Sequence, residues 1–322
     1  MKKRSFIILL LILTFAVLPA KAEMIETPAP APVHLTPAPT REPPAVVDAT
    51  SDPVTFSNLR FKLDAKFLHI WFPAVMNADE AILVYGDEVY MIDCGDKRAA
   101  LAGAELLGRL GITQIDRLFN SHPHHDHLRG LPFTDEAAAV QQLLVCFPRD
   151  ATLTMTEAME YADASGIPVS DYADGDTFSM GNGAVTLQFW CGSDPDLDMN
   201  NNSAVTLVKF GERSILFTAD IEQPGMDALL RRVPAAGLKA DIIKYPHHGH
   251  PALTDAFLAA VSPSAAIVTN TSVDWTGIKY LRQQKIPTYF TRYKKTVLHL
   301  YTDGTTWVLE QIPIDNVQPL QN

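Results

Sequence analysis

A seven-residue stretch, Ser121–His127, constrains this chain more than any other part of its sequence. It contains four histidines and one aspartate, and it follows a short apolar, β-like run. Imidazole and carboxylate groups are the ligands that Zn²⁺ and other first-row divalent ions prefer. A loop that leaves a strand can direct His122 and His124 towards one ion. The same loop can direct Asp126 and His127 towards a second ion, so we predict a metal site here rather than a polar loop that is rich in histidine by chance.

The N-terminal segment 1–22 predicts an export signal. It has a basic start at positions 2–4, an apolar stretch over 6–18 and the small-x-small sequence Ala-Lys-Ala at 20–22. The apolar stretch is short for a bilayer span. We therefore expect cleavage and a secreted or extracytoplasmic protein, whereas an uncleaved segment would leave the protein anchored by its N terminus. No other membrane contact is predicted.

Composition divides the rest of the chain into three segments. Residues 23–54 are rich in Pro, Ala and Thr and lack apolar periodicity, which predicts a disordered linker. Residues 55–314 carry regularly spaced apolar runs and are expected to form one hydrolase domain. Residues 315–322 are expected to be a flexible tail. An apolar content of 47% in 322 residues is ample for a single large core.

Charge and cysteine content restrict the partners and the covalent structure. The formal net charge is −11, and removal of the four basic residues in the signal would move it to about −15. Such acidity opposes non-specific binding to polyanions. The chain has three cysteines, which excludes a disulfide scaffold. Buried free thiols are favoured, and pairing of Cys146 with Cys191 stays open.

The order of strand-like and helix-like patterns predicts the fold. Strands, a helix, further strands and a helix occur twice along the chain. This order predicts an α/β protein with two mixed β-sheets stacked on each other and helices on both outer faces, an αββα four-layer sandwich. Asp93 and Asp220 each end a strand, and a third strand ends before His247 and His248. Sites of α/β proteins usually form where strands end.

The pattern His-x-His-x-Asp-His at 122–127 resembles the signature of the metallo-β-lactamase superfamily. Over roughly 57–312 the order of motifs is also similar to one branch, the hydrolase domain of the DNA-uptake protein ComEC and its exported relatives. The motifs that carry this resemblance are Met91–Gly95, Ser121–His127, Asn200–Val205, Leu216–Asp220 and Ala240–Gly249. The chain departs from the branch at Ala219, where relatives usually have glycine, and at His250, where they usually have serine. The run 75–80 is only a blurred counterpart of their early Asp-Val-Gly-Gln-Gly-Asp motif.

The resemblance implies a centre for two metal ions. The ligand set that it implies is His122, His124, Asp126, His127, Asp220 and His247. Asp220 would be shared between the two ions. No histidine lies between His127 and His247, so the third histidine that many superfamily members use at the first ion is missing.

Further residues are expected to act on the substrate or to orient a ligand. Asp126 and His248 are the catalytic candidates; His247 is favoured as the ligand of the second ion and His248 as the group that faces the substrate, with the reverse assignment open. The residues expected to orient a ligand or to contact the substrate are Asp93, Asn200, Asn201, Ser203 and His250.

Zn²⁺ is the favoured ion at both positions, and Mn²⁺ is the alternative. Two such ions lower the pKa of a bound water and polarise a substrate oxygen, which predicts an exported metal-dependent hydrolase. The resemblance implies phosphodiesterase or nuclease-like activity. The alternatives are an amide or ester hydrolase of the β-lactamase or lactonase type, and a wall-binding module that retains metal without turnover.

The expected substrate is a phosphate-bearing small molecule, a nucleic-acid strand or a cell-wall polymer, and no stable protein partner is implied. A basic and aromatic stretch over 279–295 could hold such a substrate or could be a solvated helix face and strand edge.

Overall fold

The computed structural model describes residues 66–270, 274–291 and 296–320, together with the backbone of 46–48. The predicted export signal and most of the predicted linker lie outside these residues. None of the helices in the described part of the chain has both the length and the apolar character needed to cross a bilayer.

The regular elements within the described residues are as follows. The strands are, in chain order, β1 (Val46–Asp48), β2 (Leu68–Phe72), β3 (Glu80–Tyr85), β4 (Glu88–Cys94), β5 (Gln114–Ile115), β6 (Arg117–Asn120), β7 (Ala139–Val140), β8 (Leu143–Val145), β9 (Val169–Asp171), β10 (Thr177–Met180), β11 (Val185–Trp190), β12 (Val205–Phe210), β13 (Arg213–Phe217), β14 (Ile242–Lys244), β15 (Ala265–Val268), β16 (Thr288–Phe290), β17 (Thr296–Thr302) and β18 (Trp307–Pro313). The helices are α1 (Lys97–Leu110), α2 (His125–Leu128), α3 (Leu131–Ala137), α4 (Leu153–Ser165), α5 (Gln223–Arg232), α6 (Asp255–Val261) and α7 (Thr276–Gln283).

The long strands form two mixed sheets. The first has the order β1-β18-β17-β2-β3-β4-β6-β8-β9, and the second has the order β10-β11-β12-β13-β14-β15-β16. In the first sheet β4, β6, β8 and β9 are parallel, and in the second sheet β13 to β16 are parallel. Parallel strands end at the same edge of their sheet. The loops that follow β4 and β6, and those that follow β13, β14 and β15, therefore emerge together within each sheet.

The side chains of β3 show how the layers are built. Successive residues of a strand point to opposite faces, and every residue of β3 is buried. Ala81 and Leu83 pack in the apolar cluster between the two sheets, whereas Ile82 and Val84 pack in a second cluster with α1, α3 and α4. A third cluster joins the second sheet to α5, α6 and α7. The predicted αββα four-layer arrangement is confirmed.

Residues at both ends of the predicted domain pair or pack with it. The strand Val46–Asp48 lies within the span predicted as a linker and pairs in parallel with β18. Beyond residue 315, Val317 is buried against the outer apolar cluster of the first sheet. The backbone N–H of Leu320 donates to the carbonyl of Leu110 at 3.3 Å. Residues 317–320 are held against the domain because Val317 and Leu320 are apolar and pack near the end of α1.

Gly130 sets the spacing between α3 and the end of β4, and replacing it should be costly. A Cβ at this position would lie 1.9 Å from the carbonyl oxygen of Cys94 and 2.7 Å from the Cβ of Ala100. We expect Gly130→Ala to lower the free energy of unfolding by about 1–3 kcal/mol, measured by urea denaturation, because overpacking displaces backbone. Gly108→Ala in α1, where nothing lies within 4 Å, should instead raise it by about 0.5–1 kcal/mol. Equal effects of the two variants would contradict this account.

Candidate metal centre

The candidate site is built from segments that follow parallel strands in both sheets. The loop Ser121–His127 follows β6, and the one-turn helix α2 begins within it at His125. Asp220 comes three residues after β13, and His247 and His248 come shortly after β14. Because these strands end at one edge of their sheets, residues more than a hundred positions apart in sequence meet there. The structure thus brings together the distant segments from which the sequence predicts the ligands.

One oxygen atom of Asp220 lies at the centre of the cluster. The carboxylate is almost fully buried. Four imidazole Nε2 atoms surround its Oδ2, at 3.2 Å for His127, 3.6 Å for His248, 3.7 Å for His247 and 3.9 Å for His122. Each of these imidazole nitrogens can bind a metal ion. An oxygen atom that lies among four of them is therefore suited to contact two cations.

Asp126, His127, Asp220 and His248 form the tighter half of the cluster. Each offers one ligand atom, and these atoms all lie within 4.8 Å of one another. The Nε2 of His248 lies 3.3 Å from Asp126 Oδ2. Three buried atoms of this group have no hydrogen-bond partner among the described residues, namely His127 Nε2, His248 Nε2 and Asp220 Oδ1. Unpaired buried donor and acceptor atoms are costly, and a divalent cation would satisfy all three. The residues present therefore fit a metal ion.

The geometry reverses the roles favoured for His247 and His248 from the sequence. His248 is 2% exposed and directs Nε2 at Asp126, so it takes the position at the second ion that we assigned to His247. His247 has a side chain that is 23% exposed, and it lies at the mouth of the site. A substrate-facing role for His248 does not fit its burial. The exchange arises because both residues have left-handed backbone conformations, with φ of 45° and 53°.

His122 and His124 form the other half of the cluster. The Nε2 of His122 lies 3.1 Å from the Nδ1 of His124, and His122 is fully buried. Burial, followed by the neighbouring His127, holds the pKa of His122 well below its ordinary value. His122 is consequently a neutral imidazole, the form that binds metal.

The segment Asn200–Ser203 lies beside Asp220 but brings no histidine. The Ser203 hydroxyl donates to the Asn200 carbonyl at 2.5 Å and accepts from the Asp220 N–H at 3.3 Å. Asn201 Oδ1 accepts from the N–H groups of Glu222 and Gly225, which ties this loop to the first turn of α5. Ser203 and Asn201 therefore hold the backbone that carries Asp220.

Asp93 orients His127 from behind. Its Oδ2 lies 2.8 Å from His127 Nδ1. Ser121 donates to the same carboxylate through its backbone N–H at 2.7 Å and through its hydroxyl at 2.6 Å. A carboxylate on one ring nitrogen leaves the other nitrogen free for metal and makes it a better donor. The position of Asp93 is the one that an orienting residue requires.

Asp79, which is not among the site residues predicted from the sequence, orients His248 in the same way. Asp79 Oδ1 lies 3.1 Å from His248 Nδ1 and accepts from the Thr269 hydroxyl at 2.6 Å. The ammonium group of Lys244 donates to the other oxygen of Asp79. A signal for both residues was present, because Asp79 lies in the run compared with the early aspartate motif and Lys244 lies in the late histidine motif.

The charges of the site are strongly coupled. Burial would raise the pKa of Asp220, but His127 and His248 outweigh it and hold this pKa well below its ordinary value. Burial would lower the pKa of His248, yet Asp220 and Asp79 raise it to about 9. The carboxylates thus favour positive charge at the positions where cations would bind.

The remaining predicted residues lie at the rim. His250 is exposed, and its ring centre lies 3.3 Å from that of Trp275 and 4.8 Å from that of His247. His125 is exposed, and its Nδ1 lies 3.6 Å from Asp126 Oδ1. All three cysteines are free thiols, and Cys94 packs under the metal-site loop with its thiol 3.5 Å from the Leu128 carbonyl.

Replacing Asp79 with asparagine should weaken metal binding without changing a ligand. We expect metal affinity to fall about 10–100-fold, the usual effect of losing a carboxylate that orients a histidine ligand. Competition with a chromophoric chelator measures this, and Asp150→Asn at an exposed position is the control. Unchanged affinity in the folded Asp79→Asn variant would remove Asp79 from the site.

Comparison with known proteins agrees with this fold. Residues 81–185 match the family model of the metallo-beta-lactamase superfamily. Residues 81–185 are thus similar to the metallo-beta-lactamase superfamily, and the described residues carry a candidate metal centre of histidine and aspartate residues.

Several solved structures match this chain over about 70% of its length. The metallo-beta-lactamase fold protein YhfI from Bacillus subtilis is 12% identical, with a TM-score of 0.48 over 69% of this chain and 95% of that one. CmlA, a diiron β-hydroxylase from Streptomyces venezuelae, is 16% identical, with a TM-score of 0.43 over 70% of this chain and 52% of that one. A diphosphatase of the PhnP family is 13% identical, with a TM-score of 0.42 over 73% of this chain and 98% of that one. No curated protein sequence matches the chain significantly.

Proposed function

We propose that this protein is a hydrolase that uses two divalent metal ions and cleaves phosphodiesters. The observation that carries the proposal is the single buried oxygen of Asp220 with four imidazole Nε2 atoms within 4.0 Å. A carboxylate that serves two ions about 3.5–4 Å apart is typical of two-metal hydrolytic sites.

The ligand set divides between the two ions. His122 and His124 would hold the first ion, Asp126, His127 and His248 would hold the second, and Asp220 would contact both. When bound, such ions polarise a substrate oxygen and lower the pKa of a water molecule towards neutrality. Nitrogen and oxygen donors of this kind favour Zn²⁺, with Mn²⁺ as the alternative.

The side chains around the ligand set are engaged in ways that do not suit a covalent nucleophile. The Ser121 hydroxyl donates to Asp93, and the Ser203 hydroxyl donates to the Asn200 carbonyl. Burial raises the pKa of the Cys94 thiol well above its ordinary value. These side chains therefore hold and orient the residues of the site and exclude solvent. This supports attack on the substrate by water rather than by a side chain.

The phosphodiester preference rests on the ComEC-like branch. Its supporting features are the Asn200–Val205 motif in place of a third histidine and the late motif that contains Lys244. Exposed cations on α7, namely Lys279 and Arg282, could contact a phosphate-bearing small molecule, a nucleic-acid strand or a cell-wall polymer. The predicted signal at 1–22 makes the proposed location extracytoplasmic, and N-terminal sequencing of the exported protein should then begin at Glu23.

Two chromogenic substrates separate the proposed activity from its rivals. Metal-stripped protein should be inactive, and added Zn²⁺ or Mn²⁺ should restore turnover of bis-p-nitrophenyl phosphate. Hydrolysis of a chromogenic cephalosporin alone would replace the phosphodiesterase with an amide hydrolase. Two tightly bound ions without turnover of either substrate would favour the binding module.

A further inference from the structure

The first metal position lacks the third histidine that many superfamily members use there. His122, His124 and Asp220 supply three protein groups; structural zinc sites have four protein ligands, and catalytic sites have three and a water. No histidine lies between His127 and His247. Ser203 lies beside Asp220, but its hydroxyl is neutral and already both donates and accepts a hydrogen bond.

His247 lies beside the carboxylate that the two metal positions would share. Its Nε2 is 3.7 Å from Asp220 Oδ2, the same oxygen from which His122 Nε2 is 3.9 Å away. The tighter group of Asp126, His127, Asp220 and His248 does not include it. His247 is thus close to the shared carboxylate but is not needed by the second ion.

Glu222 holds the His247 ring in a suitable orientation. Its Oε1 lies 2.8 Å from His247 Nδ1, which leaves Nε2 as the free donor. The same arrangement occurs at His127 with Asp93 and at His248 with Asp79. A carboxylate behind the imidazole is the usual support of a histidine that binds metal.

The backbone explains how adjacent histidines can serve two ions. His247 and His248 both have positive φ, a conformation that costs residues other than glycine about 1–3 kcal/mol and tends to persist at functional sites. The His247 N–H donates to the carbonyl of Ala219 at 2.9 Å, so this turn is tied to the segment that carries Asp220. The two ring centres lie 5.9 Å apart with planes at 68°. The Nε2 of His248 lies 3.3 Å from Asp126 Oδ2, and the Nε2 of His247 lies 3.7 Å from Asp220 Oδ2.

We infer that His247 is the missing donor of the first metal position and that Glu222 is its positioning residue. The inference rests on the proposed two-metal centre. It assigns one histidine of the pair to each ion, so that residues 247 and 248 together replace the histidine that the middle of the chain lacks.

Metal stoichiometry and affinity test the inference without reference to activity. The wild-type protein, dialysed with Zn²⁺ and measured by elemental analysis, should hold two ions. His247→Ala should retain one ion at wild-type affinity and lose or weaken the other, as followed by competition with a chromophoric chelator. Asp227→Asn changes an exposed carboxylate in α5 and should keep both ions.

Glu222 variants provide a second test in which every ligand remains. Glu222→Ala should weaken the same single ion about 10–100-fold. Glu222→Gln, which keeps an acceptor for the Nδ1 proton, should weaken it less. Circular dichroism checks that each variant is folded.

The outcomes separate this inference from the proposed function. If the wild type holds two ions and His247→Ala keeps both at unchanged affinity, the inference is overturned while the two-metal hydrolase stands. An effect of His247→Ala on KM alone would also overturn it, because His247 would then contact substrate. If the wild type holds fewer than two ions, the proposed two-metal centre and the inference both fall.

Discussion

The Asp220→Asn variant is expected to lose turnover to the background rate and to hold less than one metal ion per chain. Asparagine preserves the volume of the side chain but removes the negative charge that four imidazoles face. Both metal positions share this carboxylate, so one substitution should weaken both. Phosphodiester turnover and elemental analysis of the same dialysed sample measure the two losses together.

Two further variants serve as the control and the comparison for this experiment. Asp227→Asn changes an exposed carboxylate seven residues away in α5 and should leave both quantities unchanged. Asp126→Asn removes a carboxylate that lies near His248 alone among the late histidines, and it should cost only the second ion. Retention of two ions by Asp220→Asn would show that Asp220 is not shared between them.

The sequence predicted the half of the site that is local. His122, His124, Asp126 and His127 lie within six positions, so their convergence depends on a single loop after a strand. Asp220 could be added because it lies in a motif of the resembling branch and at a position where a strand ends. Those features depend on short-range pattern and on where strands end, which apolar periodicity indicates.

The roles of His247 and His248 depend on backbone angles that no pattern specifies. Positive φ at two consecutive histidines is uncommon, and it decides which ring enters the site. The exchange of their roles could therefore not be read from the motif, although the pair itself could.

Asp79 and Lys244 illustrate the limit set by long-range pairing. Lys244 ends a buried apolar strand, and it is tolerated there because the carboxylate of Asp79, 165 residues away, neutralises it. Each residue lies in a motif of the chain, but neither motif shows that the two side chains pair. Only the packing of the second sheet on the first shows that they form one network behind His248.

Glu80 is a buried acid that the candidate site does not use. Its side chain lies against α1, where a Cβ on Gly103 would come within 1.7 Å of Oε1, and it is 1% exposed. Neither carboxyl oxygen has a hydrogen-bond partner among the described residues. Burial raises the pKa of Glu80 well above its ordinary value of 4.5, and burial and Glu80 also raise the pKa of the Cys94 thiol.

This shift makes Glu80 a source of instability at high pH. The folded state retains the proton to a higher pH than the unfolded state does. The stabilisation from a neutral Glu80 is therefore complete below pH 4.5 and is lost as the pH rises through the raised pKa of the folded state. The carboxylates of the metal centre with lowered pKa values, such as Asp220, act in the opposite direction, so the effect of Glu80 must be isolated by difference.

The Glu80→Gln variant isolates the effect of Glu80 on the pH dependence of stability, because glutamine has nearly the same shape as glutamate and does not titrate. The variant should become progressively more stable than the wild type as the pH rises above 4.5. We expect a gain of about 1.4 kcal/mol for each pH unit above 4.5 until the raised pKa of the folded state is reached. Urea denaturation of metal-stripped protein across the pH range measures it, with the exposed Glu136→Gln as a control whose curve should run parallel to that of the wild type. A parallel curve for Glu80→Gln as well would mean that Glu80 reaches solvent or a cation in the folded protein, because only then could its carboxylate ionise at the same pH in both states.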